Sequence, residues 1–361
     1  MIWDESKHPD VPITPLSSSW ATGGIRVPYI TSSKPDVAAR INDTLFLTLL
    51  ETPAPTKPGK RFQLPHGLSP LAIGAISFTV FRNDEMVLSL KTKSEICGSY
   101  CEDYFAFYNF DAQTGRLIGA RDILTPGGMT AVAAYVDLER KSRYSREINA
   151  LKKEIKALRK SDQPGKKSEE NSFQETLSFN EECRGSVSEK AENPSPSNFN
   201  AVVEPINFHN LLITKNGLLV EFGQCGNRSQ RGLNMVDDVK VRIPKNKLSL
   251  TAYGQRLLLA QGDAPMPNSP YGQLLHGMIG NAPIVMRLTS PYGNETLEGV
   301  YYYTKFRKTI TLAGKKDGTS LELSESHEGT DVAKFILRRS NTGFVGHWKS
   351  PRKELPVTLD W

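Results

Sequence analysis

The sequence predicts an α+β protein: a helix plus antiparallel meander N-terminal domain with a helical or disordered insertion, followed by a small all-β antiparallel C-terminal domain. Three observations support this fold class. Apolar residues recur every four positions over residues 37–49, alternating strand-like runs joined by turns follow them, and residues 274–361 hold seven short strand-like runs without helical periodicity. A length of 361 residues suits two domains.

Changes in composition place the boundaries. The predicted segments are a loose N-terminal arm at 1–25, the α+β domain at 26–138 and 201–260, a basic helix at 139–160, a flexible insertion at 161–200, a linker at 261–273 and the antiparallel β domain at 274–361.

The first helix begins near Pro35, a residue that suits a first helical turn, and ends before Pro53. Its apolar positions are Val37, Ile41, Leu45 and Leu49. The predicted strands of the meander are Ala72–Phe81, Met86–Lys91, Tyr104–Phe110 and Leu117–Asp122. Between the last two strands, Asp111 and the conformationally free Gly115 supply turn chemistry.

Helical spacing returns from Met129, and its apolar positions repeat at intervals of four and three. These positions are Tyr144, Ile148, Leu151, Ile155 and Leu158. Such a stripe packs on its own domain or forms a helical hairpin or a dimer seam, so self-association through these five residues is one hypothesis. Residues 161–200 are rich in Ser, Glu, Lys, Asn and Pro, which predicts a flexible segment.

The second half of the chain is predicted to be mostly strands. Asn216-Gly217 joins two apolar runs in a hairpin, Val239–Pro244 alternates as a strand, and Leu248–Leu259 suits a short helix or turn. The C-terminal strand candidates are Pro283–Leu288, Leu297–Thr304, Thr309–Ala313, Ser320–Ser324, Ala333–Arg338, Phe344–Trp348 and Val357–Leu359. Their short spacing predicts an antiparallel sandwich or small barrel, with Tyr302 facing opposite to Tyr301 and Tyr303.

The net charge of +6 is concentrated in one helix. Residues 139–160 contain nine Lys or Arg and three Glu, so the rest of the chain is close to neutral. This distribution disfavours a general nucleic-acid surface and leaves a nucleic-acid contact through the basic helix as the weakest hypothesis. No apolar run reaches the roughly 20 residues that span a bilayer, and the N-terminus does not resemble a signal peptide.

The four cysteines allow three pairings, among which the sequence does not choose. Three residues separate Cys97 from Cys101, a spacing that differs from the two-residue spacing of redox and zinc motifs. Ordinary thiols, or one or two structural disulfides in an oxidising compartment, are therefore favoured over a metal site.

The sequence offers no recognisable catalytic constellation, and we predict a protein that is not an enzyme and needs no cofactor or metal. No two of the six histidines are four positions apart, and no nucleophile elbow or phosphate-binding loop occurs. His209 suits a structural histidine in an apolar strand. Glu322 and Glu325 lie on a predicted surface strand and are expected to face solvent.

The most plausible partner-binding loop runs from Gln224 to Arg231. Gly226 within the loop and Gly232 directly after it permit an irregular backbone, and the arginines of the loop are residues enriched at the energetic centres of interfaces. The candidate contact residues are Gln224, Asn227, Arg228, Gln230 and Arg231. A solvated polar loop is the alternative interpretation.

Two blocks of the chain resemble a known bacterial α+β domain. The first is Phe107–Leu117 followed by Asp122–Leu124, and the second is Phe208–Phe222 followed by Val241–Pro244 and Leu248. The similar domain is found in the extracytoplasmic part of the lysozyme-sensing anti-sigma factor of Gram-positive bacteria, and beside some peptidoglycan deacetylase domains. The resemblance covers residues 25–260 and implies a non-catalytic domain that binds another protein.

The C-terminal unit is similar to a β module in bacterial proteins of unknown role, through Leu297–Tyr303, Gly346 and Trp348. The sequence thus favours a protein-binding function of the inhibitor, toxin-immunity or sensor kind, with a bacterial toxin or cell-wall hydrolase as partner. The alternative is a cell-wall carbohydrate-binding or carbohydrate-active protein. The compartment is cytoplasmic if Met1 is native, and periplasmic or cell-envelope if the chain is a mature fragment.

Overall fold

The structure, a computed structural model, describes part of the chain. The described residues are 13–17, 24–57, 73–97, 101–160, 164–192, 210–223, 225–226, 228–267, 273–289, 295–327 and 330–361.

The described residues form helices and strands in the first two thirds of the chain and strands only in the last third. Those of the first third are β1 (Ile13–Ser17), β2 (Arg26–Ile30), α1 (Pro35–Leu50), β3 (Ile73–Asn83), β4 (Val87–Cys97) and β5 (Cys101–Asp111). Those of the middle are α2 (Ala120–Ile123), α3 (Pro126–Lys160), α4 (Lys166–Glu192), β6 (Leu211–Thr214), β7 (Gly217–Phe222), β8 (Val239–Pro244) and α5 (Ala252–Leu259). Those of the last third are β9 (Leu274–Ile279), β10 (Ala282–Thr289), β11 (Thr296–Tyr303), β12 (Thr309–Asp317), β13 (Ser320–His327), β14 (Thr330–Arg339), β15 (Gly343–Ser350) and β16 (Lys353–Asp360).

The α+β class and the antiparallel C-terminal strands are confirmed, with one refinement of the architecture. The C-terminal strands close into an eight-stranded antiparallel barrel, β9 to β16, in which each strand pairs with its neighbours in sequence and β16 pairs with β9. Seven strands were predicted there, and β9 was missed. Its short apolar stretch is interrupted by His276 and Gly277, so it lacks the alternating pattern of its neighbours.

The chain forms two compact units, and they differ from the predicted division. Met1–Ile118 groups with Pro265–Trp361, while Gly119–Ala264 forms a unit of its own. We call these the barrel unit and the middle unit.

In the barrel unit, α1 packs on the meander β3-β4-β5. Pro35 and Asp36 suit the first helical turn, and the helix ends at Glu51, whose φ of 51° is left-handed. Its buried face joins strand residues in one apolar cluster that includes Ala38, Ile41, Leu45, Leu88, Leu90, Tyr108 and Phe110. The predicted period of four along this helix is thus confirmed as its core-facing stripe.

The turn after β5 forms as the sequence predicts, but the strand predicted after it does not. The Asp111 carboxylate accepts hydrogen bonds from the amides of Gln113 (2.8 Å) and Thr114 (2.9 Å), and Gly115 takes a φ of +73°. Leu117 then makes only an isolated bridge with Phe110. The prediction of a strand at Leu117–Asp122 is wrong because the chain turns into α2 within a few residues.

A buried carboxylate on α1 joins the helix to the outer surface of the barrel. Asp43 accepts hydrogen bonds from the hydroxyl of Tyr302 (2.6 Å), the amide of Ala54 (2.8 Å) and Nη2 of Arg307 (3.3 Å). The same guanidinium nitrogen donates to the carbonyl of Ala54 at 2.7 Å. Beside this network, Leu47 of α1 lies in a small apolar cluster with barrel residues. Satisfied buried networks of this kind fix one arrangement of the elements they join.

The alternation of the three tyrosines on β11 explains this junction. Tyr301 lies in the apolar cluster that fills the barrel, and Tyr303 packs against that cluster. Tyr302 points outward to Asp43 on α1. The predicted opposite facing of Tyr302 is therefore confirmed, and the outward ring is covered by a helix instead of by water.

The middle unit contains the long helices α3 and α4 and the three-stranded sheet β6-β7-β8. The α3 helix and the β6–β7 hairpin are as predicted. The prediction of a flexible segment over 161–200 is wrong for Lys166–Glu192, which forms α4. Few apolar residues hold α4, among them the buried Leu177 and Phe179, and a disulfide at Cys183 adds to them. So sparse a pattern does not distinguish a helix from a polar linker.

The N-terminal arm also contains more structure than predicted. Ile13–Ser17 forms β1 and pairs antiparallel with β2 along its whole length, from Ile13 opposite Ile30 to Ser17 opposite Arg26. The prediction of a loose arm at 1–25 is thus corrected over these five residues. No helix in the described part of the chain is long and apolar enough to cross a membrane.

A buried phenol gives the barrel unit a defined pH dependence. Burial raises the pKa of Tyr108 from 10.0 to about 12, partly offset by the Arg287 guanidinium. The unfolded chain ionises first, so the stabilisation is complete below pH 10 and is lost as the pH rises from 10 to 12. The share of Tyr108 in that loss is about 2–3 kcal/mol of unfolding free energy.

We therefore expect the unfolding free energy of the Tyr108→Phe protein to fall less between pH 9 and 12 than that of the wild type. Urea unfolding at each pH measures both. Tyr104→Phe is the matched control, because Tyr104 lies on the same strand and is 52 % exposed. Equal pH slopes in the wild type and Tyr108→Phe would show that the Tyr108 phenol ionises alike in both states.

Candidate functional site

The hairpin of β4 and β5 extends beyond the core of the barrel unit. The two strands pair along eleven positions, from Val87 opposite Asp111 to Cys97 opposite Cys101. The half nearest Val87 is buried, whereas the half nearest the cysteines is mostly exposed or half-buried. A disulfide between Cys97 and Cys101 closes the far end.

Large apolar side chains are displayed at this closed end. Ile96 is 40 % exposed, Tyr104 is 52 % exposed and Phe105 is 42 % exposed. The register places Ile96 and Tyr104 on one face of the hairpin, as diagonal neighbours, and Phe105 on the other. We call these three residues the tip patch. They are three of the eight large exposed apolar residues found among the described residues; the other five lie on α3, in the loop after β11 and on β14.

Polar contacts orient the side chains of the tip patch. The ammonium of Lys91 lies 4.0 Å from the centroid of the Phe105 ring, a cation–π geometry. Lys93 and Asp103 form a cross-strand ion pair at 2.9 Å, and the hydroxyl of Tyr104 donates to Glu102 at 3.2 Å. The hairpin therefore presents its aromatic rings from a frame held by a disulfide and cross-strand pairs.

The predicted partner-binding loop is anchored in the middle unit. A disulfide joins Cys225 to Cys183 of α4. A Cβ atom on Gly226 would lie 2.6 Å from Cζ of Phe179, so the loop lies directly against that helix. The loop then enters a 3₁₀ helix at Arg228–Leu233.

The five predicted contact residues are not equally placed. Arg231 is exposed and Gln230 is half-buried. Gln224 and Asn227 lie outside the described residues, and the backbone alone is described for Arg228. Among the loop side chains that the structure describes, Arg231 is therefore the exposed one. His209 also lies outside the described residues.

The predicted self-association stripe lies inside the middle unit. Its five residues are at most 8 % exposed: Tyr144, Ile148, Leu151, Ile155 and Leu158. The helix α4 runs back along α3, with ion pairs Lys152–Glu181 (2.7 Å) and Arg159–Glu170 (2.6 Å) between them. The stripe is thus the seam of an intrachain helical hairpin. This burial favours packing within the chain, and self-association through these five residues stays a prediction.

The basic charge of α3 is partly compensated by nearby carboxylates. Besides the two ion pairs with α4, Arg143 pairs with Glu139 at 3.0 Å and Arg140 lies 3.7 Å from Asp137. These pairs reduce the net positive field of the helix, which weakens the case for a nucleic-acid contact.

The tip patch and an interior carboxylate were missed by sequence reasoning. The sequence predicts that β4 stops at Lys91 and that β5 starts at Tyr104. Ile96 and the two cysteines therefore lie outside the predicted strands. Glu322 faces solvent as predicted and pairs with Lys334 at 3.2 Å. Glu325 was predicted to face solvent too, but it is 6 % exposed inside the barrel. A separation of three places two strand residues on opposite faces, so the period of two could have indicated this difference.

Within the described residues, no group of three or more His, Cys, Asp or Glu side chains could hold a metal ion. No protein-family model matches the chain, and no curated protein matches its sequence.

The hairpin interpretation of the α3 stripe makes a direct prediction. Leu151→Ala removes a side chain that is 1 % exposed and should lower the unfolding free energy of the middle unit by about 2–5 kcal/mol. Lys153→Ala, at an exposed position of the same helix, is the control and should change it by less than about 0.5 kcal/mol. Urea unfolding followed by the helical circular-dichroism signal measures both. A Leu151→Ala protein of unchanged stability that sediments at half the wild-type mass would instead identify the stripe as a dimer seam.

Proposed function

We propose that the protein is a non-enzymatic binding protein that forms a stoichiometric complex with another protein. The tip patch is the observation that carries this proposal. Ile96, Tyr104 and Phe105 expose a large part of their apolar surface at the end of a disulfide-closed hairpin. Neighbouring exposed apolar side chains, such as Ile96 and Tyr104 on one face of the hairpin, are typical of interaction surfaces, and burying apolar area against a partner is favourable by about 25 cal/mol per Å².

The construction of the hairpin supports recognition by a preformed surface. Aromatic residues, tyrosine above all, supply large contact area with few rotatable bonds. The Cys97–Cys101 disulfide and the Lys93–Asp103 pair restrict the hairpin before it binds, so less conformational entropy is lost in the complex. Arg231, on the disulfide-anchored loop of the middle unit, is proposed as a second contact for an acidic group of the partner.

The kind of partner is a narrower proposal. The resemblance of Phe107–Leu117 and Phe208–Phe222 to the anti-sigma-factor domain supports a bacterial toxin or cell-wall hydrolase, with the protein acting as inhibitor, immunity protein or sensor. The two disulfides support an oxidising compartment, such as the periplasm or cell envelope, because structural disulfides persist there and are rare in the cytosol.

To test for the complex, the full chain is used to capture proteins from a lysate of its own source, and purified lysozyme is tested alongside. Gel filtration of the captured pair then gives the ratio of the two proteins. We expect one protein to co-elute at a fixed ratio. The double variant Tyr104→Ala and Phe105→Ala should then weaken the complex about 10- to 100-fold, because truncation of central aromatic contacts costs about 1.5–3 kcal/mol.

Ile336→Ala is the matched control, since Ile336 is 55 % exposed on the outside of the barrel and lies outside the tip patch. Its affinity should equal that of the wild type. Unchanged affinity in the double variant would remove the tip patch from the interface, and a similar result for Arg231→Ala would remove the loop. Absence of any fixed-ratio partner from a folded sample would contradict the proposed function.

A further inference from the structure

The two ends of the barrel interior differ in the burial of their apolar residues. At the end where β10, β12, β14 and β16 finish, Leu288, Leu297, Leu321 and Phe344 are at most 2 % exposed, and the half-buried Trp361 packs edge to face against Phe344. At the opposite end, interior residues of four strands are only half-buried. We call this second set the barrel mouth: Tyr303, Ile310, Trp348 and Leu355.

Glu325 lies inside the barrel beneath this half-buried ring. One carboxylate oxygen, Oε1, accepts hydrogen bonds from the hydroxyl of Tyr301 (2.5 Å) and from the indole Nε1 of Trp348. The rings of Tyr301 and Tyr303 meet edge to face with their centroids 5.7 Å apart. Burial and the neighbouring Glu325 both raise the pKa of Tyr301, so its hydroxyl remains a donor at neutral pH.

The charge of Glu325 has no cationic partner among the described residues. The ion pairs of the barrel lie on its outer face, at Lys334–Glu322 and Lys349–Glu354, or at the junction with α1. The second oxygen of Glu325, Oε2, receives no hydrogen bond from the described residues. A carboxylate inside an apolar core is stabilised when its oxygens receive hydrogen bonds and its charge is paired, so Oε2 is the atom of Glu325 at which a further donor would bind.

We propose that the barrel mouth binds an organic cation, an alkylammonium or guanidinium group, whose N–H groups pair with Oε2 of Glu325. The rings of Tyr303 and Trp348 form the wall against which the cation and its apolar stem pack. Aromatic faces attract cations, and this attraction is strongest where water is excluded. A neutral sugar would satisfy a hydrogen bond of the carboxylate but leave its charge uncompensated. A free amine and the basic side chain of a protein share the chemistry that this site recognises.

The indole N–H of Trp348 is a direct reporter, because it is bonded to Glu325. We expect benzylammonium to move the indole resonance of the full-length protein saturably in proton–nitrogen correlation spectra, and benzyl alcohol at equal concentration to leave it in place. Glu325→Gln keeps an acceptor for Tyr301 and Trp348 but removes the charge, and it should weaken benzylammonium binding at least tenfold. Glu322→Gln is the matched control, on the outer face of the same strand, and should bind as the wild type does.

A second variant covers the case in which Glu325→Gln does not fold. Tyr303→Leu replaces a half-buried ring of the wall and should weaken benzylammonium binding threefold or more. Comparison of butylammonium with a capped lysine distinguishes a free amine from a protein side chain, since tighter binding of one favours that source.

Three results would overturn the proposal. Equal binding of benzyl alcohol and benzylammonium would show an apolar pocket without use of the charge. A saturable shift with methyl glucoside that Glu325→Gln abolishes, without one for the cations, would identify a sugar site. No shift with benzylammonium, butylammonium or guanidinium would show that the mouth takes no organic cation.

Discussion

The carboxylate of Asp43 is the interaction on which the barrel unit depends. It lies on α1, between the meander and the barrel, and accepts hydrogen bonds from the Tyr302 hydroxyl, the Ala54 amide and the Arg307 guanidinium. These donors belong to a barrel strand, the segment after the helix and the loop after β11. A buried carboxylate with all its partners holds them in one arrangement, whereas loss of a partner leaves an unpaired polar group inside the protein. The helix can therefore bury one face on the meander and another on the barrel.

The consequence for function is that two separate features share one rigid support. The meander bears the disulfide-closed hairpin with Tyr104 at its end, and the barrel bears the mouth above Glu325. Neither feature is built from flexible loops: the first is two paired strands and the second is the interior of a closed sheet. Sites on such elements are already ordered before a ligand arrives, which lowers the entropic cost of binding.

Local patterns in the sequence predicted those elements whose burial repeats at a fixed period. The α1 stripe and the alternation of Tyr301 and Tyr302 follow this rule, whereas the β6–β7 hairpin was predictable from its Asn216-Gly217 turn. Helix α4 could not be predicted in this way, because it has few buried apolar residues and one of its buried residues, Cys183, is joined by a disulfide to Cys225, 42 positions away. The tip patch could not be predicted from the sequence for a similar reason. The tip patch depends on a strand pairing that continues to Cys97 opposite Cys101, and composition alone does not give the length of a strand pair.

Native-state hydrogen exchange of the wild type and Asp43→Asn measures whether the Asp43 junction makes α1 and the barrel one cooperative unit. We expect the amides of α1 and of strands β9, β10 and β11 to exchange with one common opening free energy, and we expect the substitution to lower that free energy by the same amount in all four elements. Faster exchange in α1 alone, with the barrel strands at wild-type protection, would show that the junction does not couple them.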